Sequence, residues 1–260
     1  MPQTPQPVAL VTGASRGIGR AIALALAEAG HALVVNYMSR ADAAAEVVSE
    51  IEARGGRAIA VQANVGESAD RARLVEQSLA AFGRLDVLVN NAGITSPGRK
   101  DLLDATEAGW DEVFATNLKG PFFLSQLVAR QMVSAIHAGT IPRGTIINIS
   151  SVSAFAVSID RADYCIAKSA TQMLTWLFAQ RLADEKIRVY EVCPGVIASD
   201  MTAPVREKYD KLLAEGLAPM RRWGEPADVA RVVRALTGDD FAYATGERIH
   251  VDGGMHIRRL

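Results

Sequence analysis

Short apolar runs rich in β-branched residues alternate with longer stretches of helical spacing along the whole chain. The runs are VALV (8–11), ALVVN (32–36), AIAVQ (58–62), DVLVN (86–90), TIINIS (145–150), IRVYEV (187–192) and RIHVD (248–252). Each is apolar at nearly every position rather than at every second one, which describes a strand covered on both faces. Strand alternating with helix predicts an α/β fold: a Rossmann-type doubly wound parallel sheet of about seven strands with helices on both faces. No repeat, low-complexity tract or linker interrupts the pattern, so residues 1–260 read as a single domain. The least regular stretches are 94–106, 137–144 and 199–223. The first and third follow strand ends, where open α/β sheets bind ligands, and with 151–163 they are the expected substrate loops.

One helical stretch, 165–183, is apolar around most of its circumference: Ile166, Met173, Leu174, Trp176, Leu177, Phe178 and Leu182 do not fit one stripe. Such a helix is buried on more than one side. It is either central to the monomer or, the preferred reading, part of a subunit interface.

Charge adds little to this picture. The 28 Lys and Arg nearly cancel the 29 Asp and Glu, so no net field draws the protein to nucleic acid or to an anionic membrane, and a small-molecule partner is expected. The first basic residue is Arg16, and the apolar run 21–27 stops at Glu28, far short of a membrane span. A cytoplasmic protein is expected. Its two cysteines, Cys165 and Cys193, then read as reduced small hydrophobes. The four histidines, His31, His137, His250 and His256, are dispersed, and no metal constellation is assigned.

Candidate chemistry begins with TGASRGIGRA, residues 12–21. Gly13, Gly17 and Gly19 lie between a predicted strand and a predicted helix. Backbone N–H groups there sit at a helix N-terminus, which favours a pyrophosphate. Four further segments follow in order: NNAG (90–93), Asn117 in NLKG, Ser151 in NISSV with Tyr164 and Lys168 in YCIAK, and PGVIASDMT from Pro194. With the closing VDGG (251–254), the chain resembles the short-chain dehydrogenase/reductase superfamily over essentially its whole length, and is most similar to its 3-oxoacyl-acyl-carrier-protein reductase-like members.

The resemblance implies hydride transfer between a nicotinamide cofactor and a carbonyl or secondary alcohol. It implies Tyr164 as general acid or base, Ser151 as hydrogen-bond partner of the substrate oxygen, Lys168 on the nicotinamide ribose and Asn117 holding a relay water. A free phenol titrates near 10, so Lys168, one helical turn on, is expected to favour the phenolate. Ser150 and Ser153 compete with Ser151, which is chosen for its gap to Tyr164. Asn117 has a plainer reading as a residue that satisfies backbone groups at a helix bend. The implied cofactor cradle comprises Gly13, Ser15, Arg16, Gly17, Ile18 and Gly19; Tyr37, Ser39 and Arg40; Asn64 and Val65; Asn91, Ala92 and Gly93; Tyr164 and Lys168; and Pro194, Gly195, Ile197 and Ser199. A tetramer is also implied.

Two positions refine the expectation. NAD-specific relatives place an acid at the end of the second strand; here Tyr37 stands there, with Arg16, Ser39 and Arg40 near. NADP(H) is therefore expected, NAD(H) remaining open, and Asn64 replaces the family's usual adenine-contacting Asp. Acyl carrier proteins are acidic, and Glu185 falls where such reductases carry a basic residue, which disfavours a carrier-protein partner unless the nearby Arg181, Lys186 and Arg188 compensate. If Asp160, Arg161 or Asp163 faces the site, a sugar, polyol or hydroxy acid becomes the alternative. Arg258 and Arg259 are a candidate border of a neighbouring subunit's site. A rival of another class, a dinucleotide-binding regulator without turnover, has no use for the Ser151, Tyr164 and Lys168 set.

Overall fold

The structure, a computed structural model, describes residues 6–258. Its strands are β1 (Val8–Val11), β2 (Ala32–Tyr37), β3 (Ala58–Gln62), β4 (Val87–Asn90), β5 (Gly144–Ile149), β6 (Ile187–Pro194) and β7 (Arg248–Val251). All pair in parallel in one sheet ordered β3-β2-β1-β4-β5-β6-β7. The helices are α1 (Gly17–Glu28), α2 (Ala41–Ala53), α3 (Ser68–Phe82), α4 (Glu107–Phe114), α5 (Gly120–His137), α6 (Ala162–Leu182), α7 (Arg206–Ala214) and α8 (Pro226–Thr237). Every predicted strand is present, within two residues at each end.

β1 shows why its run is apolar at every position. Ala9 and Val11 pack on one face with Ile22 and Leu26 of α1 and Val229 and Val233 of α8. Val8 and Leu10 pack on the other with Leu74 of α3 and Leu124 and Val128 of α5. The alternation of strand side chains thus feeds two cores, one under each helical layer. The rim departs from this: all four residues of β7 are half-buried, and Ala60 of β3 is exposed. Edge strands have a neighbour on one side only, so helices do not cover them fully.

The entry to β1 is fixed by a buried ion pair. Asp86 accepts the Val8 amide at 2.8 Å and the Arg84 guanidinium at 2.8 Å, locking the start of β1 to the start of β4. Both charged side chains are 9% exposed, and each has its partner, as burial requires.

The long irregular stretches are more structured than their sequence predicts. Residues 97–99 and 102–104 form short 3₁₀ turns, and α7 occupies the middle of 199–223. A π-helical turn, Ala115–Lys119, joins α4 to α5 and carries the buried Asn117. Among the described residues no helix is long and apolar enough to cross a membrane, and Cys165 and Cys193 are unpaired.

Candidate active site

Chain order reverses between β1 and β4, and beside that switch the C-terminal strand ends open into a cleft of about 670 Å³. The glycine loop forms one wall. Gly13 leaves β1 with φ +61, a conformation that side chains resist. Gly19 sits so close to the loop that a Cβ there would lie 2.3 Å from the Gly13 carbonyl oxygen and 2.5 Å from Asn91 Nδ2. Arg16 precedes α1 in extended conformation and makes no side-chain cap, and the first turn of α1 holds no carboxylate. The positive end of the helix and its unpaired amides therefore face the cleft uncompensated.

Buried polar residues hold this wall. Thr12 Oγ1 accepts the amides of Asn91 and Ala92, each at 2.9 Å, and donates to Val89 O at 3.3 Å. Asn91 Nδ2 donates to the carbonyls of Thr12 and Gly13. Asn36 Oδ1 accepts the Gly13 amide at 3.2 Å, while its Nδ2 donates to Val61 O and Ala63 O.

The opposite wall comes from β5 and α6. Tyr164 and Lys168 lie one turn apart on α6, both buried. Lys168 Nζ donates to Ile149 O at 2.8 Å and lies 5.7 Å from the Tyr164 ring centre. The Ser151 hydroxyl hydrogen-bonds the Tyr164 phenol and also accepts the Ser153 amide at 3.1 Å. Ser150, in contrast, turns its hydroxyl to Val192 O at 3.5 Å, while Ser150, Ser151 and Ser153 all line the cleft. Asn117 clasps the backbone of Ile94, accepting its N–H at 2.9 Å and donating to its carbonyl at 2.8 Å. Gly93 lies between them: a Cβ there would lie 3.2 Å from Asn117 Oδ1 and 3.6 Å from Lys168 Nζ.

The family model described as enoyl-(acyl carrier protein) reductase matches residues 13–256. The 3-oxoacyl-[acyl-carrier-protein] reductase FabG of Staphylococcus epidermidis is 42% identical over 249 residues, covering 96% of this chain and 98% of its own. The chain belongs to the short-chain dehydrogenase/reductase family. It is an oxidoreductase of that family. Among solved structures, a 3-oxoacyl-[acyl-carrier protein] reductase from Brucella melitensis in complex with NAD superposes with a TM-score of 0.93 at 41% identity, covering 98% of this chain and 99% of that one. A putative gluconate dehydrogenase from Agrobacterium tumefaciens gives 0.89 at 31% identity, covering 97% and 96%.

The short-chain dehydrogenase/reductase cleft gathers nearly every residue singled out in the sequence. It is lined by Gly13, Ser15, Arg16, Gly17, Ile18, Gly19, Tyr37, Ser39, Arg40, Asn64, Val65, Asn91, Ala92, Gly93, Ser151, Tyr164, Lys168, Pro194, Gly195, Ile197 and Ser199. Asn117 alone stands behind the lining, its side chain spent on Ile94. Neither cationic candidate is free: Arg16 pairs with Asp200 at 3.2 Å and Arg40 with Asp42 at 3.3 Å. Of the substrate-side candidates, Arg161 lines the cleft with its guanidinium 5.5 Å from the Tyr164 ring centre. Asp163 turns away instead, buried against the Ser96 hydroxyl and the Tyr164 amide. Arg258 is exposed, and Arg259 lies outside the described residues.

Three expectations are revised. Burial raises the Tyr164 phenol above its ordinary value; the Ser151 hydrogen bond and the Arg161 charge oppose this without overcoming it, and Lys168 is not among the opposing groups. Lys168 itself is lowered to about 8 by burial, against the charge of Glu191. The phenol is therefore held protonated rather than drawn towards phenolate. Glu185 is not a bare carboxylate: it pairs with His137 at 3.0 Å and Arg181 at 3.5 Å, which blunts its repulsion of an acidic partner. Nor are all four histidines dispersed, because the turn after β7 stacks His256 on His250 at 4.1 Å.

Thr12, Asn36, Ser96 and Arg99 escaped sequence reasoning. Thr12 and Asn36 carried a visible signal, a polar residue closing an apolar strand on the ligand side of the sheet. Ser96 and Arg99 carried none, since their contacts come from loops whose path the sequence does not disclose.

The fit of this cleft to a dinucleotide is direct: uncapped helix amides for a pyrophosphate, backbone close enough for phosphate oxygens to approach, and a long groove on either side. Gly19→Ala is expected to weaken dinucleotide binding at least about ten-fold, because a methyl there displaces the Gly13 carbonyl and the Asn91 amide. A fluorescence titration with NADPH measures it, with circular dichroism showing that the fold persists; unchanged affinity counts against the cradle.

Proposed function

We propose that the protein is an NADP(H)-dependent 3-oxoacyl thioester reductase in which Tyr164 delivers the proton and Ser151 and Lys168 hold the reacting groups. The observation that carries this is the buried Tyr164 at the floor of the cleft, its phenol held by Ser151 and with Lys168 one turn on along α6. A nicotinamide dinucleotide bound along the glycine wall supplies the hydride. Negative charge then develops on the substrate carbonyl oxygen. The Tyr164 O–H, held by Ser151, is placed to donate its proton there. Lys168, anchored by Ile149 O, presents an ammonium beside that phenol and the cofactor-side residue Gly93. Asn117 holds the backbone at Ile94, so it shapes the floor between Gly93 and the first substrate loop.

Preference for the phosphorylated cofactor rests on charge at the end of β2. Tyr37, Ser39 and Arg40 line the cleft there, and among the described residues Asp200, already paired with Arg16, is the one acid in the lining. Exposed pairs such as Arg16–Asp200 and Arg40–Asp42 are screened by solvent and weak, so a 2′-phosphate can displace them for stronger, charge-assisted bonds.

A second reading has its own observation. Arg161 and Arg99 both line the substrate side, a pairing that suits a small anionic ketone or hydroxy acid. The assembly proposed is a homotetramer. Exposed Phe122 and Phe123 of α5 lie beside α6, whose Ile166, Met173, Trp176 and Leu177 are also exposed, forming an apolar face that a second copy would cover.

Four outcomes are expected. Tyr164→Phe lowers kcat for reduction by at least about 100-fold while leaving the NADPH dissociation constant within about two-fold. The kcat/KM for reduction is flat below pH about 8 and declines above it as the buried Lys168 loses its proton; a profile flat to about pH 10 counts against that role.

With NADPH, acetoacetyl thioesters of acyl carrier protein and of N-acetylcysteamine are reduced in preference to ketoses, diketones and 2-oxo acids. Turnover of the oxo acids alone selects the second reading, and a preference for NADH removes the cofactor assignment. Sedimentation of the wild type as a tetramer, and of Trp176→Glu as a smaller species, tests the assembly.

A further inference from the structure

The turn that follows β7 brings together three side chains that the proposed reaction does not use. His250 lies in β7, Asp252 just beyond it and His256 one turn further on. Gly253 and Gly254, with φ of +64 and +85, fold the chain back so that His256 returns to its start. One ligating atom from each of the three side chains lies within 4.8 Å of the others. They line a cavity of about 350 Å³, bordered also by Met220, Arg222 and Asp228.

The geometry holds an unmet demand. Asp252 is nearly fully buried and fixed: its carboxylate accepts the Gly254 amide at 2.9 Å and the His256 amide at 3.0 Å. His256 Nδ1 closes on the same carboxylate at 2.9 Å. His250 Nδ1 faces it from 3.8 Å, too far for a hydrogen bond, and that atom is buried with no hydrogen-bond partner. Its ring is held in place by His256 stacked at 4.1 Å and by the edge of Phe155 at 5.3 Å. An imidazole nitrogen without a partner, facing a carboxylate that two amides already orient, supplies two ligands of a metal set, and His256 beside them supplies the third once its ring turns.

We propose that His250, Asp252 and His256 bind one first-row divalent ion, with Zn²⁺ the best match. Two nitrogens and one oxygen form a donor set suited to zinc and its neighbours, whereas Mg²⁺ and Ca²⁺ take oxygens. Tetrahedral zinc sets its ligand atoms about 3.3 Å apart, so the His256–Asp252 pair opens slightly from 2.9 Å, His250 closes on Asp252 from 3.8 Å, and the exposed His256 ring swings off its stack on His250 so that both imidazoles turn a nitrogen lone pair to the ion. Its fourth position opens into the cavity, where water fills it. The role is structural. Asp252 packs directly under Gly195, where a Cβ would lie 2.7 Å from it, so the ion braces the cleft wall that Pro194 and Gly195 form while standing outside the cleft itself.

The test uses the full chain without an affinity tag, stripped with chelator and titrated with Zn²⁺ by calorimetry. Thermal unfolding and the visible absorption of the Co²⁺ form serve as independent readouts. The expected result is one ion per chain with a Kd below about 10 μM, a rise in Tm with zinc, and binding at least about ten-fold weaker in His256→Gln and in His250→Gln. His256 is exposed, so its variant keeps the fold; the metal-free Tm of each variant verifies this, and if His250→Gln fails to fold, His256→Gln alone decides. Affinity unchanged in the histidine variants, binding lost only in Cys165→Ser, or no stoichiometric binding at about 100 μM zinc overturns the proposal.

Discussion

The cleft depends on one side chain, the hydroxyl of Thr12. It lies 1% exposed at the end of β1, accepts two amides from the chain leaving β4, and donates back to β4. Leaving buried amides unpaired costs about 1–3 kcal/mol each, so the loops after β1 and β4 are locked together there. Everything downstream takes its position from that lock. Asn91 reaches from it to the Gly13 carbonyl, Asn36 takes up the Gly13 amide from the far side, and Gly19 fits only because all of these are close. The helix α1 then begins with its amides aimed into open space. A site that needs exposed backbone donors is thus made from a thoroughly satisfied polar cluster beneath it.

The two walls differ in physical character. The glycine wall works by geometry and partial charge, with no ionised side chain buried in it. The α6 wall works by burial of titratable groups. Desolvation holds Tyr164 neutral and brings Lys168 near 8, and the surrounding partners, Ser151, Arg161 and Glu191, only moderate it. A phenol kept protonated suits a group that gives up its proton as charge appears on a neighbouring oxygen. Lys168 is oriented by a carbonyl of β5, so the same strand that ends in the Ser151 loop fixes the lysine.

Much of this was legible in the amino-acid sequence. Runs such as VALV and TIINIS are apolar throughout because each strand feeds two cores, and that pattern alone yields the layers. The glycine loop was legible through its place between a strand and a helix, and the Ser151, Tyr164 and Lys168 set through the family resemblance. What the sequence hid was the outcome of competition. Tyr164 and Lys168 are one turn apart, which invites a phenolate, yet depth of burial is a tertiary quantity and it prevailed. The pairing of Glu185 with Arg181 was within reach of the sequence, but that with His137, 48 residues away, was not. Asp163 was one of three charged residues that could have faced the substrate, but the loop carrying Ser96 returns to cover it. His250 and His256 looked unrelated until the double-glycine turn doubled the chain back.

The roof of the cleft offers a last consequence. The segment after Ser199 is tethered by Asp200 to Arg16 on one side and by the Met201 carbonyl to Arg99 at 3.0 Å on the other. Both tethers are exposed and cheap to exchange, whereas the chemistry beneath is built into strand ends that tolerate little change. Heritable variation in such a protein is therefore partitioned. Substitutions in the roof can redirect which molecules enter without disturbing the reaction below, and this separation lets one scaffold diversify by successive single steps, each leaving a working enzyme.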